Sequence, residues 1–457
     1  MTTNEFIEQR KEHFLDELFT FLRIPSVSTD SSKKIAVEQA ADFLLSQLNL
    51  LKLSQVERYE TQGHPIVYGE HCPFDERPTV LIYGHYDVQP SDPDHLWDSP
   101  PFEPTLKNGK IYARGASDDK GQSFTHIKAL QSLIETNGSI PVNVKILLEG
   151  EEEIGSPNLV PFIESHKDML KCDMVLISDT SMFGLDQPSI TFGLRGLAYM
   201  EIEVVGPNRD LHSGVYGGAV ENPLNVLCEI IAQLKDKDGV VQIPGFYDKV
   251  EDLTLEDRKA MADLPFDETA YKSSLDVDAV HGEKGYSTLE RASARPTLDV
   301  NGIWGGYQGE GAKTVLPSKA NAKISMRLVP NQDPHDIARL FEQQVLSLAP
   351  ETVKVRVTEH HGGYASRTDL NFYGLKAAAT AFEEVYETPV LFSMEGGSIP
   401  IVADFKRVLG AESILMGFGV TSDAIHSPNE SFHVKDFYRG IKTSARFFKL
   451  LAEDAVS

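Results

Sequence analysis

The sequence predicts an α/β fold that carries a second, inserted domain. Three short apolar runs, at residues 79–83, 142–148 and 174–177, alternate with helical patterns in the first 190 residues, which is typical of helices around a buried sheet. From about residue 190, two runs in which polar and apolar residues alternate, 197–205 and 322–328, predict half-exposed strands. The chain of 457 residues also exceeds the roughly 250–300 residues at which a single hydrophobic core stops growing.

Helical patterns lie on both sides of the alternating strands. An acidic stretch between about residues 240 and 300, interrupted by Pro and Gly, predicts loops and short helices. An apolar segment lies at 413–418. One predicted helix ends near residue 23. Four more are predicted at 34–51, 123–134, 370–387 and 434–451. We therefore predict a first domain formed by residues 1–189 and 366–457 and an inserted domain formed by residues 190–365.

Composition excludes several classes of partner. The chain has 43 Lys and Arg residues against 68 Asp and Glu residues, a net charge of −25, which would repel nucleic acid and anionic membranes. Cys72, Cys172 and Cys228 form no CxxC motif, so we expect neither a disulfide framework nor a zinc ribbon. The first residues lack the pattern of a signal peptide, and no run approaches the ~20 apolar residues of a membrane span. We expect a cytoplasmic protein.

Acidic residues and a histidine follow the predicted strands. His85 and Asp87, in TVLIYGHYDVQP, end one strand and point to the same face. The alternative for this pair is a histidine that is merely hydrogen-bonded at a strand edge. The motif RGASDDKGQ places Asp118 and Asp119 just before a helix, where acids also act as ordinary N-terminal caps.

Four further candidates complete this pattern. Glu152 and Glu153 directly follow the strand VNVKILLEG, and Asp179 ends MVLISD. His426 lies in TSDAIHSPNE, near the carboxyl end of the chain. Carboxylates and imidazoles in this combination suit a site for two Zn²⁺ or Mn²⁺ ions.

Taken in order, these segments resemble the dinuclear zinc exopeptidase family that includes carnosinases, aminoacylases and succinyl-diaminopimelate desuccinylase. The similarity is closest to its cytosolic dipeptidase, carnosinase-like branch, and it covers nearly the whole chain. The motifs are RIPSVS, GHYDVQP, WDSPPF, ARGASDDKG, EGEEEIGS, ISD, GLRG, DLHSGVYGG, IPGFYD, KTVLP, MRLVPNQ and EGGSIP, followed by the late histidine. The resemblance implies a catalytic domain with a mixed central sheet flanked by helices, and an inserted α+β lid or dimerisation domain.

The resemblance also implies roles for individual residues. Asp118 would bridge two divalent ions, Zn²⁺ first, with Mn²⁺ or Co²⁺ as alternatives, and its bond to Asp119 would be cis. Asp87 would orient a metal-binding histidine, and Glu152 would be the general base that activates a water bridging the metals. Glu151 receives no role. The implied metal ligands are His85, Asp118, Glu153, Asp179 and His426.

Substrate-binding roles follow from the same resemblance. His212 would stabilise the oxyanion, and in the resembling dipeptidases it reaches the active site of the second subunit of a homodimer. Glu395, beside the glycines of EGGS, is a candidate partner for a free α-amine on the sequence alone. The residues that would bind the substrate carboxylate are Thr314, Arg327, His361 and Ser398.

We therefore expect a metal-dependent dipeptidase that acts on dipeptides or short peptide-like substrates with a free C-terminal carboxylate. One alternative is an N-acyl-amino-acid amidohydrolase with the same dinuclear site and no requirement for a free amine. A more remote alternative is a non-catalytic binding protein.

Overall fold

A computed structural model describes residues 1–397 and 399–454. Within these residues fourteen α-helices occur: α1 (Thr3–Leu22), α2 (Lys34–Leu50), α3 (Lys120–Asn137), α4 (Leu159–Ser165), α5 (Lys167–Leu170), α6 (Ser213–Tyr216), α7 (Pro223–Leu234), α8 (Leu255–Ala262), α9 (Glu268–Ser274), α10 (Thr288–Ser293), α11 (Pro334–Leu348), α12 (Tyr373–Tyr386), α13 (Pro400–Leu409) and α14 (Val434–Asp454).

The strands of the same residues are short in the first half of the chain and longer between residues 196 and 363. They are β1 (Gln55–Tyr59), β2 (Ile66–His71), β3 (Thr79–His85), β4 (Thr105–Lys107), β5 (Lys110–Tyr112), β6 (Asn143–Glu149), β7 (Met174–Ile177), β8 (Ser181–Met182), β9 (Ser189–Leu194), β10 (Gly196–Val205), β11 (Leu211–His212), β12 (Thr297–Gly305), β13 (Val315–Leu316), β14 (Lys319–Leu328), β15 (Lys354–Gly363), β16 (Ser366–Arg367), β17 (Leu391–Glu395), β18 (Glu412–Leu415), β19 (Gly419–Val420) and β20 (Ser431–His433).

The chain divides into two compact units. The first comprises Met1–Phe192, Thr368–Ser393 and Asp404–Ser457, and the second comprises Gly193–Arg367 and Met394–Ala403. The first unit is therefore discontinuous in sequence. The roles of catalytic domain and lid domain stay predictions for these units.

A mixed sheet forms the centre of the first unit, as predicted. Its strands follow the order β1-β2-β6-β3-β7-β18-β9. β6, β3, β7 and β18 are parallel neighbours, whereas β1, β2 and β9 join antiparallel to their neighbours. The parallel strands are buried along both faces, which explains why their sequences are continuous apolar runs.

Helices cover this sheet, and α3 is the most deeply buried of them. α3 contacts β3 and packs against α1 and α14. The ring of Phe124 lies 5.9 Å from that of Phe21 on α1 and 6.0 Å from that of Phe43 on α2. α3 ends at Gly138, whose φ of 79° is the left-handed conformation that glycine adopts at helix ends. This packing fixes the beginning of α3, which directly follows Asp119.

The second unit contains a four-stranded antiparallel sheet of order β12-β14-β10-β15. Buried and partly exposed residues alternate along β10 and β14, as the sequence pattern predicts. α7 and α11 contact the sheet, and side chains such as Leu227 and Phe341 are fully buried with it in one core. The acidic stretch before β12 contains only the short helices α8, α9 and α10.

In residues 1–397 and 399–454, we find no helix with both the length and the apolar character needed to cross a membrane.

Candidate metal centre and active site

One edge of the central sheet gathers the side chains that follow three parallel strands. β3 lies between β6 and β7, and His85 is its last residue, directly opposite Glu149 at the end of β6. Glu152 follows β6 in a short 3₁₀ turn, and Asp179 follows β7 by two residues. Because the carboxyl ends of parallel strands meet at one sheet edge, these segments are adjacent although they are distant in sequence.

A first group of possible metal ligands lies at this edge. Ligand atoms of His85, Asp118 and Asp179 all lie within 4.8 Å of one another. Nε2 of His85 is 3.1 Å from Oδ1 of Asp118 and 3.9 Å from Oδ2 of Asp179.

A second group shares Asp118 with the first. It consists of Asp118, Glu153 and His426, again with ligand atoms within 4.8 Å of one another. Nε2 of His426 is 2.8 Å from Oδ2 of Asp118 and 3.2 Å from Oε2 of Glu153. The two oxygens of Asp118 therefore face two different histidines, as a bridging carboxylate would. The peptide bond between Asp118 and Asp119 is cis, as the resemblance implies.

The two groups fit divalent cations. Nε2 of His85 is buried and has no hydrogen-bond partner within the residues that the structure describes, although two carboxylates face it. Three carboxylates and two imidazoles are the donors that Zn²⁺ or Mn²⁺ accepts. Buried carboxylates this close to one another need a compensating positive charge, which two cations would supply.

Asp87 contacts both the end of β3 and the turn that follows β6. Nδ1 of His85 lies 3.1 Å from the carbonyl oxygen of Asp87 and 3.4 Å from its Oδ1. The Asp87 carboxylate also accepts hydrogen bonds from the backbone N–H groups of Glu152, at 3.2 Å, and Glu153, at 3.1 Å. The side chain is fully buried. It therefore positions one histidine and two glutamates at once.

Gln89 is a residue of this site to which the sequence analysis gives no role. Its backbone N–H donates to Oε1 of Glu153 at 3.1 Å, and its side-chain amide donates to Oε2 at 2.8 Å. Both oxygens of Glu153 are thus oriented by one residue. The only available signal is that Gln89 belongs to the same GHYDVQP motif as His85.

The pKa of Glu152 and that of Asp118, the carboxyl shared by both groups, are shifted in opposite directions. Burial raises the pKa of Glu152 to about 7, and the negative charge of Glu153 adds to this effect while His85 opposes it. Burial also raises the pKa of Asp179, with Asp118 contributing. The pKa of Asp118 is lowered, because His426 and His85 outweigh its burial.

Both histidines are shifted towards the protonated form. Burial lowers the pKa of His85, but the carboxylates of Asp118 and Asp87 outweigh it, so the net pKa is raised. Asp118 and Glu153 raise the pKa of His426 to about 10. In the metal-free chain, protons therefore occupy the positions that cations would fill.

His212 lies on a small two-stranded sheet of the second unit, and Thr314 directly precedes the other strand of that sheet. His212 on β11 pairs with Val315 on β13, the residue after Thr314. The His212 side chain is exposed, and its Nδ1 accepts a hydrogen bond of 3.0 Å from the N–H of Gly214. This bond leaves Nε2 of His212 to carry the ring proton.

Arg327 and His361 lie on the four-stranded sheet of the same unit. β10 runs between their strands, with Leu197 opposite Arg327 and Tyr199 opposite His361. The rings of Tyr199 and His361 are stacked, with centroids 5.1 Å apart and an angle of 7° between planes. Arg327 is partly buried.

A second arginine increases the positive charge near Arg327. Burial lowers the pKa of Arg195 to about 10, and the charge of Arg327 contributes to the shift. The backbone N–H of Arg195 donates to the carbonyl of Glu395, on β17, at 3.3 Å. The predicted residue Ser398 lies outside the residues that the structure describes.

The family of the chain follows from comparison with known proteins. The model of peptidase family M20/M25/M40 matches residues 81–450. The chain belongs to this family. Its mixed α/β fold is that of M20 peptidases.

The similar M20 proteins include peptidases from fungi, mammals and archaea. A Cys-Gly metallodipeptidase of Schizosaccharomyces pombe is 35% identical over 98% of this chain and 97% of its own. The β-Ala-His dipeptidase of Homo sapiens is 31% identical over 85% of this chain and 78% of its own. The crystal structure of an M20 family metallo-carboxypeptidase from Sulfolobus solfataricus, 35% identical, superposes with a TM-score of 0.83 and covers 96% of this chain and 99% of that chain.

The raised pKa values predict how pH changes the stability of the metal-free protein. The pKa of Glu152 rises from 4.5 to about 7, so its ionisation destabilises the fold in that range. The pKa of His426 rises from 6.5 to about 10, so the stability from its protonated form is lost as pH approaches 10. Both signs agree. Thermal unfolding midpoints of chelator-treated protein should fall from about pH 5 to about pH 9.

Added Zn²⁺ should reverse this trend, because metal ligands bind in their deprotonated forms. The increase in unfolding midpoint on adding Zn²⁺ should therefore grow with pH over the same range. The variant Glu152→Gln, which removes one titrating group, should flatten the decline in the metal-free protein. A metal-free midpoint that rises with pH would contradict the assignment of these shifts.

Proposed function

We propose that the protein is a metal-dependent dipeptidase that hydrolyses dipeptides or short peptide-like substrates with a free C-terminal carboxylate. The observation that carries this proposal is the sharing of Asp118 between two histidine–carboxylate groups, with Glu152 beside them. The names of similar family members, which include two dipeptidases, support the same class of substrate.

Two divalent cations would be held by these groups. His85 and Asp179 would bind one, His426 and Glu153 the other, and Asp118 both. We propose Zn²⁺ as the native ion, with Mn²⁺ or Co²⁺ as alternatives. When bound, such ions polarise a substrate carbonyl and make water acidic enough to react near neutral pH.

Glu152 would move the proton during the reaction. It lies in the same short turn as Glu153, so it is adjacent to the second ligand group. We propose that its carboxylate takes a proton from the attacking water and donates it to the amide nitrogen of the leaving residue. The backbone N–H of Glu152 donates a hydrogen bond to the Asp87 carboxylate, and this bond fixes the turn that carries the Glu152 side chain.

Residues of the second unit would bind the charged ends of the substrate. The Arg327 guanidinium suits a carboxylate, with Thr314, His361 and Ser398 as its partners in this role. Glu395 would pair with a free α-amine. His212 would donate a hydrogen bond to the oxyanion of the tetrahedral intermediate.

We also propose a homodimer in which the second unit acts as lid and dimerisation domain. In this arrangement His212 would serve the active site of the partner chain, and the first unit would be the catalytic domain. The exposure of the His212 side chain is compatible with that role. The cytoplasmic location stays a prediction.

The choice of substrate tests the proposed activity directly. After loading with Zn²⁺, the protein should hydrolyse an unmodified dipeptide with much higher kcat/KM than the N-acetylated form of the same dipeptide, because acetylation removes the charge that Glu395 would bind. A tripeptide ending in the same residue measures tolerance for longer chains. Faster cleavage of the N-acetylated form would identify an amidohydrolase instead, and no hydrolysis of either by metal-loaded protein would refute both.

The variant Glu152→Gln tests the proton-transfer role. It should retain both metals and lose at least about 100-fold in kcat, the low end for removing a general base. Metal content and kcat are measured on the same preparation. The neighbour Glu151 offers a matched control, because it is a buried glutamate whose carboxylate accepts hydrogen bonds from the backbone N–H of His64 and the side-chain amide of Asn158.

Glu151→Gln should keep a kcat close to that of the wild type even if it is less stable. Full metal content and near-normal kcat in Glu152→Gln would exclude Glu152 as the base.

Mixing two inactive variants tests whether His212 acts across a dimer. Chains with Glu152→Ala and chains with His212→Ala are combined, and the subunits are allowed to exchange. If His212 serves the partner's site, each heterodimer has one intact site and one with both lesions. Random pairing makes half of the dimers heterodimers, so activity should recover to about one quarter of wild type.

Subunit exchange is confirmed independently by differently tagged chains. With exchange complete, no recovery would show that His212 acts within its own chain, and a monomeric protein in solution would rule out the shared site. Neither result bears on the metal ligands.

A further inference from the structure

Glu430 is a fully buried carboxylate that receives four hydrogen bonds from one loop. Its Oε2 accepts from Nη1 of Arg114 at 2.8 Å and from the N–H of Gly115 at 2.9 Å. Its Oε1 accepts from the N–H of Ser117 at 2.9 Å and from the N–H of Asp118 at 3.1 Å. The last of these is the backbone of the residue shared by both ligand groups.

Arg114 connects the same carboxylate to the loop that carries His426. Its guanidinium is 1% exposed and also donates, through Nη2, to the carbonyl of Ser427 at 3.3 Å and to that of Pro90 at 3.1 Å. Ser427 directly follows His426. The ion pair of Arg114 and Glu430 therefore fixes the backbone next to two ligands of the second group.

We propose that Glu430 is the positioning residue of the dinuclear centre, holding Asp118 and His426 at the separation that a shared cation requires. The proposal rests on the metal centre proposed above. Charge-assisted hydrogen bonds to buried backbone N–H groups are short and directional, so they suit this task better than packing does. Metal–ligand distances tolerate only about 0.2 Å, so a small movement of the Asp118 backbone is felt in the affinity.

The contacts predict which of the two cations depends on Glu430. Asp118 and His426 lie on the loops that the ion pair joins. By contrast, His85 ends β3 and Asp179 follows β7, and within the described residues neither makes a hydrogen bond to Glu430. The second ligand group should therefore lose more affinity than the first when Glu430 is altered.

The variant Glu430→Gln keeps the shape of the side chain but replaces one accepting oxygen with a donating NH₂ group. Two of the four N–H donors then face another donor, and the Arg114 charge is left unpaired. We expect the affinity for one of the two Zn²⁺ ions to fall about 10- to 100-fold, the usual effect of losing a partner that orients a ligand. The affinity for the other Zn²⁺, whose site also contains Asp118, should fall less.

A neighbouring sheet should keep the variant folded. β5 and β20 pair antiparallel, with Tyr112 opposite Ser431, and the N–H of Ala113 donates to the carbonyl of Glu430. These backbone contacts do not involve the Glu430 side chain.

Metal-free wild-type and variant proteins are titrated with Zn²⁺ in competition with a chromogenic chelator, and their urea unfolding midpoints are measured without metal. Glu17→Gln is the matched control, because it breaks another ion pair of the first unit, 2.7 Å from Glu17 to the buried Lys128. This control should lower the unfolding midpoint and leave both Zn²⁺ affinities unchanged. Equal loss of Zn²⁺ affinity in the control and in Glu430→Gln would reduce the effect to general destabilisation and overturn the proposal.

If Glu430→Gln does not fold, the variant Glu430→Asp tests the positioning role of Glu430. It keeps the charge opposite Arg114 but is one methylene too short to hold all four donors, so it should fold and bind one Zn²⁺ more weakly. Unaltered binding of both ions in a folded variant, or an unfolded Glu430→Asp protein, would overturn the positioning role. A wild-type protein that binds no Zn²⁺ would instead refute the metal centre on which that role depends.

Discussion

The concentration of carboxylates around Asp118 is the constraint on which the rest of the first unit depends. Two histidines approach the two oxygens of one aspartate, and further acids lie within reach of the same point. Such a cluster is costly in a medium of low dielectric unless positive charge and hydrogen-bond donors surround it. The parallel strands bring the groups to one edge, and the surrounding loops supply the donors.

Backbone N–H groups provide most of this support. Asp87 and Glu430 are both buried, and each accepts hydrogen bonds from two or more backbone amides of segments that carry proposed metal ligands. Because these amides donate to Asp87 and Glu430 and not to the proposed ligands themselves, the contacts position the ligands without competing with the cations for their oxygens. Arg114 is the exception, and its charge is matched by Glu430 rather than by a ligand.

The sequence was sufficient for the parallel strands β3, β6 and β7 and for the side chains that follow them, because a strand followed directly by His, Asp or Glu is a local pattern. The strands β1, β2 and β9 of the same sheet were not predicted. Gln89 and Glu430 could not be identified in this way. Their partners are the backbone groups of loops remote in sequence, and no residue type or spacing encodes such a contact. The short helix α4 was likewise not predicted, since the packing of Phe162 against Tyr59 supports it.

The order of the ligands along the chain has a consequence for biosynthesis. Asp118 and His426 belong to one ligand group, yet almost all of the second unit lies between them in sequence. During translation, the nascent chain presents His85, Asp118, Glu153 and Asp179 long before it presents His426. The second ligand group therefore cannot be completed until nearly the whole polypeptide has left the ribosome, and the acidic edge must remain without its last imidazole for most of synthesis.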